Sequence, residues 1–517
     1  MFENLTKNSR FSRLCRTFKT KSDYYIYDVG TGKVFQVDDT LYRIFNTLIK
    51  YNSFKKLFEI NISNEILLEK LKEVQKIVEF ENILKAPTVK ELTGDAVVAL
   101  DDRLLNRREQ LTLELTEKCN MRCKYCIYHD GQGGYRNFGN KDMTFDVAKK
   151  AIDEFMRDST KSDQVSITFY GGEPLVKFDL IKQCVEYCQD TYKNRIIDYS
   201  MTTNATLIDE EIADWLANLK GLTHMLISID GPRNIHNSNR IFKNGEGTFD
   251  ATMRGLNLLV KAMGEEAGSR IGINAVFSEE LTKEEIESIQ GFVNSLEWTN
   301  ENTRITYSYT TVSDEDVEYN GIDSEREVYL RSLSETNPNF SIIDKINYSN
   351  LASSNNKTDY FDNVSIDGDD FIKRLYFIHN RFLTDEPVSQ YRMNGCCIPG
   401  ARRTYVTTEG KYMPCERLGS SPKIGDVYNG INIDEVRNHY VDSFRKEALK
   451  YCGNCWAIHL CTFCYMNCFD EEGVRLSYRH DKCEVNRIMI ERCLSEYHEI
   501  LEKHPDAMQV LEEYSLI

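Results

Sequence analysis

Residues 111–130 read LTLELTEKCNMRCKYCIYHD, a strand-like run followed at once by a loop with three cysteines. Leu111, Leu113 and Leu115 alternate with Thr112, Glu114 and Thr116, the period of a strand. Its C-terminal end delivers Cys119, Cys123 and Cys126 in a C-x3-C-x2-C set. In parallel α/β sheets that end is where ligands bind. Three thiolates on so short a loop suit three corners of an Fe4S4 cube and leave the fourth iron open to a small molecule. Structural zinc wants four ligands, and no nearby Cys or His completes the set convincingly, His129 being the closest.

Outward from this loop the chain alternates strands and helices. Strand-like runs continue with QVSITFYG (164–171), IIDYSMTT (196–203), HMLISID (224–230), RIGINAVFS (270–278) and TRITYSYTT (303–311). Helical periodicity fills the gaps, as in FDVAKKAIDEFM (145–156), LIKQCVEYCQDTY (180–192), EEIADWLANLK (210–220) and FDATMRGLNLLVKAM (249–263). Six such repeats imply right-handed crossovers and a parallel sheet. The fold class is therefore α/β, a partial (β/α)6 barrel over 107–311; a closed eight-fold barrel needs about 250 residues, more than this stretch offers.

The flanks differ in character. In the first hundred residues YYIYDVG (24–30) and KVFQVDD (33–39) form a hairpin across Thr31-Gly32, and two amphipathic helices follow, which suits a winged-helix-like binding module over 1–100. Residues 312–390 are acidic and irregular and read as a bridge. A Cys-rich region spans 391–490, and 491–517 reads as a closing helix.

Sixteen cysteines in a chain without the apolar stretch of a secretory signal point to metal sites rather than disulfides. Three fall in 119–126 and nine in 396–483, leaving only Cys15, Cys184, Cys188 and Cys493 outside; Cys184 and Cys188, four apart on a helix, read as buried thiols. The nine are Cys396, Cys397, Cys415, Cys452, Cys455, Cys461, Cys464, Cys468 and Cys483. Apolar residues at 41% are ample for packed cores, and no apolar run reaches the length of a membrane-spanning helix. A net charge of −17 disfavours nucleic acid as a partner. A cytoplasmic protein without membrane or nucleic-acid partners is expected.

The C-x3-C-x2-C loop with Tyr125 before its last cysteine, after the first strand of a barrel, resembles the radical S-adenosylmethionine (SAM) superfamily. The resemblance implies that Cys119, Cys123 and Cys126 hold a [4Fe-4S] cluster whose open iron binds SAM. Reductive cleavage of SAM would then give methionine and a 5′-deoxyadenosyl radical that abstracts hydrogen from substrate. TFYGGEP (168–174), TTNATL (202–207) and SIDGPRNIHNSNR (228–240) fall at the next strand ends, in order. Gly171 and Gly172 would let the backbone approach SAM and Glu173 would accept a hydrogen bond from its amino group. Tyr125, Thr203, Asn204, Ser228, Asp230 and Arg240 are further candidates for SAM contacts.

CGNCWAIHLCTFCYMNC (452–468) resembles the SPASM extension of radical SAM peptide-modifying enzymes, which carries two auxiliary [4Fe-4S] clusters. By that resemblance Cys452, Cys455, Cys461 and Cys483 hold the outer cluster, and Cys397, Cys415 and Cys468 the inner one. Cys464 competes with Cys468, and Cys396 with Cys397; either spare thiol, or neither, is the inner cluster's fourth ligand.

The whole arrangement resembles maturases of small Cys-rich ribosomal peptides, in which the first domain captures a leader segment by strand addition and thioethers are installed in the core. The implied partners are a precursor peptide and an electron donor such as flavodoxin or ferredoxin. Two alternatives stand beside this reading: an anaerobic sulfatase-maturating, formylglycine-forming enzyme, and an inactive cluster-bearing scaffold that binds peptides.

Overall fold

A computed structural model describes residues 10–512 except 130–135, 278–282, 301, 310–318, 320, 326, 329–330, 332–374, 394 and 466–467. Most of the bridge expected over 312–390 therefore lies outside the described residues, as do Ser278 and the last two residues of TRITYSYTT.

The barrel strands form where period-two alternation placed them. They are β5 (Gln110–Thr116), β6 (Gln164–Gly171), β7 (Ile196–Thr203), β8 (Leu222–Ser228), β9 (Ile271–Phe277) and β10 (Ile305–Tyr309). All neighbouring pairs among them are parallel, in sequence order. Helices such as Phe145–Arg157, Phe178–Thr191, Glu210–Asn218 and Phe249–Met263 make the crossovers. Two of them start on side-chain caps: Thr144 accepts from the Val147 amide and Asp209 from that of Ile212, groups the helix itself leaves unbonded.

The sheet does not end at β5. Four short strands of the Cys-rich region extend it: β12 (Thr404–Val406), β13 (Lys411–Met413), β14 (Gly425–Asp426) and β15 (Gly430–Ile431). β12 lies parallel to β5, with Thr404 opposite Leu111 and Val406 opposite Leu113. Burial follows. Leu111 through Thr116 are buried on both faces of a now-central strand, so Thr112 and Glu114 are as covered as the leucines.

The first hundred residues hold a three-stranded antiparallel sheet, β1 (Cys15–Lys19), β2 (Tyr24–Asp28) and β3 (Val34–Val37), followed by helices Asp39–Tyr51 and Asn64–Glu81. Both helices are capped at the start, by Asp38 and Ser63, and stopped by left-handed Asn52 and Asn82. The hairpin is as expected; β1 is an addition, its buried face masked by the surrounding basic residues.

Boundaries expected at residues 100 and 490 do not separate packed units. Strand β4 (Glu91–Thr93) pairs with β11 (Gln390–Arg392), joining the first module to the Cys-rich region. Arg16 bridges from β1 to Glu491 at 2.6 Å and to Asp323 at 2.8 Å. Helix His480–Lys503 runs unbroken across 490: Ile490, Leu494, Tyr497 and Ile500 keep one buried stripe going, and Ile488 is buried on the other face. Among the described residues no helix is long and apolar enough to cross a membrane.

The same interface carries a pH dependence. The His498 ring lies 5.3 Å from Phe18 and 4.9 Å from Tyr25, and burial first, then the Arg381 cation, push its pKa down to about 3. The folded protein keeps this ring neutral while the unfolded chain protonates it near pH 6.5. The contribution is therefore whole above that pH and shrinks as pH falls towards 3, by up to about 2 kcal/mol at pH 5. Unfolding titrations of His498→Leu should show a shallower loss of stability between pH 7 and 5 than wild type; equal slopes would contradict the assignment.

Candidate functional site

The three-cysteine loop leaves β5 and is pinned from both sides. On one side the Glu117 amide donates to Lys141 O, and Thr116 and Lys118 bond Asp142 at 2.6 and 2.8 Å. On the other, the Arg122 amide donates to Ile241 O and that of Lys124 to Asn239 O, at the end of the helix Arg233–Asn239. The loop is thus clamped between the ends of the first and fourth barrel strands. Its thiols are half-buried neighbours. Burial pushes Cys119 up to about 12, with Glu173, Cys123 and Cys126 acting on it, and pushes Cys123 up to about 11, against the opposing pull of Arg240.

The candidate SAM contacts lie along the same rim and form two connected groups. Tyr125 donates to Asp230 at 2.5 Å, and Arg240 Nε donates to the other Asp230 oxygen at 3.0 Å. The Arg240 Nη1 reaches the Cys123 sulfur at 4.0 Å, and its guanidinium lies 5.5 Å from the Tyr125 ring centre. In the second group Glu173, 2% exposed, accepts from the Thr203 hydroxyl at 2.6 Å, the Asn204 amide at 2.8 Å and the Leu175 amide at 3.1 Å. Burial raises its pKa and these bonds hold it back. A carboxylate has about four acceptor positions, so one is left for a ligand amine. Ser228 ends β8, two residues before Asp230.

Gly171 and Gly172, expected to let the backbone approach SAM, lie close against the backbone of the cysteine loop. A Cβ on Gly172 would sit 2.3 Å from Lys118 O and 3.0 Å from Cys119 N. One on Gly171, at φ +147°, would sit 2.4 Å from Thr116 O. The glycines let β6 lie against the loop that carries the cysteines.

The second set of cysteines divides in space. Cys452, Cys455, Cys461 and Cys483 line one cavity of ≈ 80 Å³, together with Cys396 and Arg479. Its walls are otherwise mainly apolar, with Arg392, His480, Asn486 and Arg487 among the other polar side chains along them. Cys397, Cys415 and Cys464 form a second gathering: burial pushes Cys397 up to about 11 and raises Cys415, and Cys464 adds to both. Cys468 is fully buried between the two, its Sγ 3.9 Å from Cys464 O, with Cys464 and Cys483 both acting on it. Among the described residues no three His, Cys, Asp or Glu groups close around a single ion. Thiolates are the donors that hold iron–sulfur clusters, and here they lie in two gatherings, one of them around a cavity.

Several residues of the site are not legible from motifs. Asn120, inside the loop, bonds Asn204 at 2.9 Å and Thr206 at 2.7 Å, tying the cysteines to the end of β7. Glu114, the one charge in strand Gln110–Thr116, was the available signal for another group. It binds Arg136 at 2.5 Å, the Arg136 guanidinium lies 3.9 Å from the Tyr128 ring centre, and the nearby Tyr405 ring stands 6.1 Å from that of Tyr170. Tyr170 feels both Cys126 and Glu416, next to Cys415, so this aromatic patch connects the two cysteine regions. The pairing of β12 with β5 is what brings them together.

Comparison with known proteins agrees with this geometry. Residues 113–293 match the Radical SAM superfamily model. An uncharacterised protein of Methanocaldococcus jannaschii is 39% identical over 156 residues, 30% of this chain and 50% of that protein. The serine-type anaerobic sulfatase-maturating enzyme of Bacteroides thetaiotaomicron is 33% identical over 28% of this chain and 34% of its own length. The radical SAM cyclopropyl synthase TigE of Paramaledivibacter caminithermalis is 27% identical over 50% of this chain and 55% of its own. The chain thus spans about half or less of these relatives' length. Among solved structures, polyhistidine-tagged anSMEcpe with bound AdoMet aligns over 78% of this chain and 98% of its own, with TM-score 0.53 and 22% identity. The native form with AdoMet and the Cp18Cys peptide aligns over 76% and 99%, with TM-score 0.50 and 20% identity. These two show the likeness of fold.

Proposed function

We propose that this chain, which carries a radical SAM domain over residues 113–293, is a peptide maturase that joins cysteine sulfur to carbon in a ribosomally made precursor. In this reading Cys119, Cys123 and Cys126 hold the [4Fe-4S] cluster, and SAM sits along the rim. The bound cluster and SAM supply reductive cleavage and hydrogen abstraction from the substrate. The protein's own residues do the positioning. Glu173 offers its spare acceptor to the SAM amine, while Tyr125, Asp230 and Arg240 fix the wall opposite; Arg240 also places a cation beside Cys123. Gly171, Gly172, Thr203, Asn204 and Ser228 complete the rim. Cys452, Cys455, Cys461 and Cys483 would hold an outer auxiliary cluster in their cavity. The inner one would use Cys397 and Cys415 with Cys464, Cys468 or Cys396.

One observation favours a peptide substrate captured through a leader: the antiparallel sheet of the first module ends in β3, which pairs only with β2 among the described residues and is at most half-buried. Such an edge presents unpaired amides and carbonyls that a peptide strand completes. An electron donor of flavodoxin or ferredoxin type would supply the reducing electron. Thioether formation removes two hydrogens in total, so one electron must leave the carbon-centred stage, a task suited to auxiliary clusters at the far side of the aromatic patch.

The second reading is sulfatase maturation, supported by the anaerobic sulfatase-maturating relative. Products separate the two. Anaerobic incubation with SAM, reductant and a Cys-containing precursor peptide should give a peptide lighter by two hydrogens, its cysteine closed to alkylation. An aldehyde that reacts with hydrazine, formed on a sulfatase-derived peptide instead, would replace the thioether reading by the second. An inert peptide with SAM uncleaved would leave the scaffold.

A further inference from the structure

Two of the buried arginines near the cysteines, Arg240 and Arg487, have carboxylate partners. Arg240 has Asp230 at 3.0 Å, and Arg487 has Glu327 at 2.7 Å. Arg479 is 6% exposed, at the end of the turn Leu476–Arg479 that leads into helix His480–Lys503. Its Nη1 donates to Cys464 O at 2.8 Å, and its guanidinium lies 5.5 Å from the ring centre of Phe444 and 5.9 Å from that of Phe463. Its Nε is buried with no hydrogen-bond partner among the described residues.

The groups around this cation are thiols. Arg479 lines the cavity with Cys452, Cys455, Cys461 and Cys483, and it touches the other gathering through Cys464. Burial opposes its charge, while Cys468, Cys483, Cys452 and Cys461 are the groups that most support it. It also acts in return on Cys396, Cys452 and Cys468. A buried guanidinium without a counter-charge costs far more than two aromatic faces return. Protonated thiols do not supply that charge. Thiolates bound to iron, and the sulfides of a cluster, do.

We propose that Arg479 is the shared counter-cation of the two auxiliary iron–sulfur clusters and that its charge holds their reduction potentials up. The inference rests on the auxiliary clusters of the proposed function. A nearby cation favours the state with one more electron, so its removal lowers the potential; net charge and hydrogen bonding are among the factors that set the potential of such clusters. A higher potential makes an auxiliary cluster a better electron acceptor, which oxidative bond formation requires. Arg479 is thus a positioning and tuning residue that acts through the clusters.

The test uses the full chain, reconstituted anaerobically, with Arg479→Gln and Arg479→Lys each made on a Cys119→Ala background so that only the auxiliary clusters report. Iron content and an EPR-monitored redox titration are read for all three proteins. Arg479→Gln should either lose auxiliary iron or, where it loads, titrate at a lower midpoint potential, and Arg479→Lys should restore most of whichever property is lost. Full loading of Arg479→Gln at the parent's potential would overturn the proposal, as would Arg479→Lys behaving like Arg479→Gln. If the parent itself takes up no auxiliary iron, the cluster reading fails and the proposal falls with it. Normal loading in the parent with indifferent variants fails Arg479 alone.

Discussion

Replacing Cys119 with alanine should leave a folded protein that releases no detectable 5′-deoxyadenosine from SAM under reducing, anaerobic conditions. The loop depends little on this thiol for its shape: the Cys119 sulfur accepts one long bond, from the Met121 amide at 3.4 Å. Its backbone is held by the Glu117–Lys141 and Arg122–Ile241 hydrogen bonds and by the Thr116 and Lys118 bonds to Asp142, none of which involves the Cys119 side chain. The variant therefore loses a ligand rather than a fold. With one of three thiolates gone the first cluster should not assemble, and about four irons should be missing relative to the parent while the others stay. Deoxyadenosine measured by chromatography, beside an iron assay, checks both halves. Continued SAM cleavage by Cys119→Ala would mean that the cysteine loop is not where the cofactor binds.

The second large effect is expected at Gly172, where no chemistry is lost. Gly172→Ala adds one methyl group, directed at Lys118 O and Cys119 N. Both are backbone atoms, so no side chain can swing aside. The strain, about 1–3 kcal/mol for overpacking of this kind, has one outlet: displacement of the loop that carries Cys119. Stability and loading of the first cluster should fall together. Gly291→Ala, in helix Lys283–Asn294, meets nothing within 4 Å and serves as the matched control: loading stays unchanged and stability rises by about 0.5–1 kcal/mol, as alanine favours the helix. A Gly172→Ala protein with normal melting and iron would show that the loop is not braced by β6.

Much of this was legible before any coordinates. The six barrel strands carry their own period, the cysteine spacing singles out the loop after the first of them, and the resemblance to radical SAM enzymes picks out Glu173, Asn204 and Asp230 at the ends of later strands. Elements whose existence depends on distant partners were not legible. Strands β12 to β15 are two or three residues long and have no periodic signature; the pairing of β12 with Leu111–Leu113 is a long-range choice. Strand β1 reads as part of a basic, polar stretch because its buried face includes Arg16, which is neutralised by Glu491 and Asp323 far along the chain. Nothing in the sequence around Arg479 marks it as buried, since the thiols that surround it come from other segments. The competition between Cys464 and Cys468 was visible in the spacing. In space Cys464 joins Cys397 and Cys415, and Cys468 stands between the two gatherings.

The most direct test of the central claim is an iron and sulfide determination with Mössbauer spectra on the anaerobically reconstituted parent protein, followed by a SAM cleavage assay on the same sample. The account predicts about twelve irons, as three [4Fe-4S] clusters require, with deoxyadenosine released. Zinc in place of iron, with SAM left intact, would contradict it.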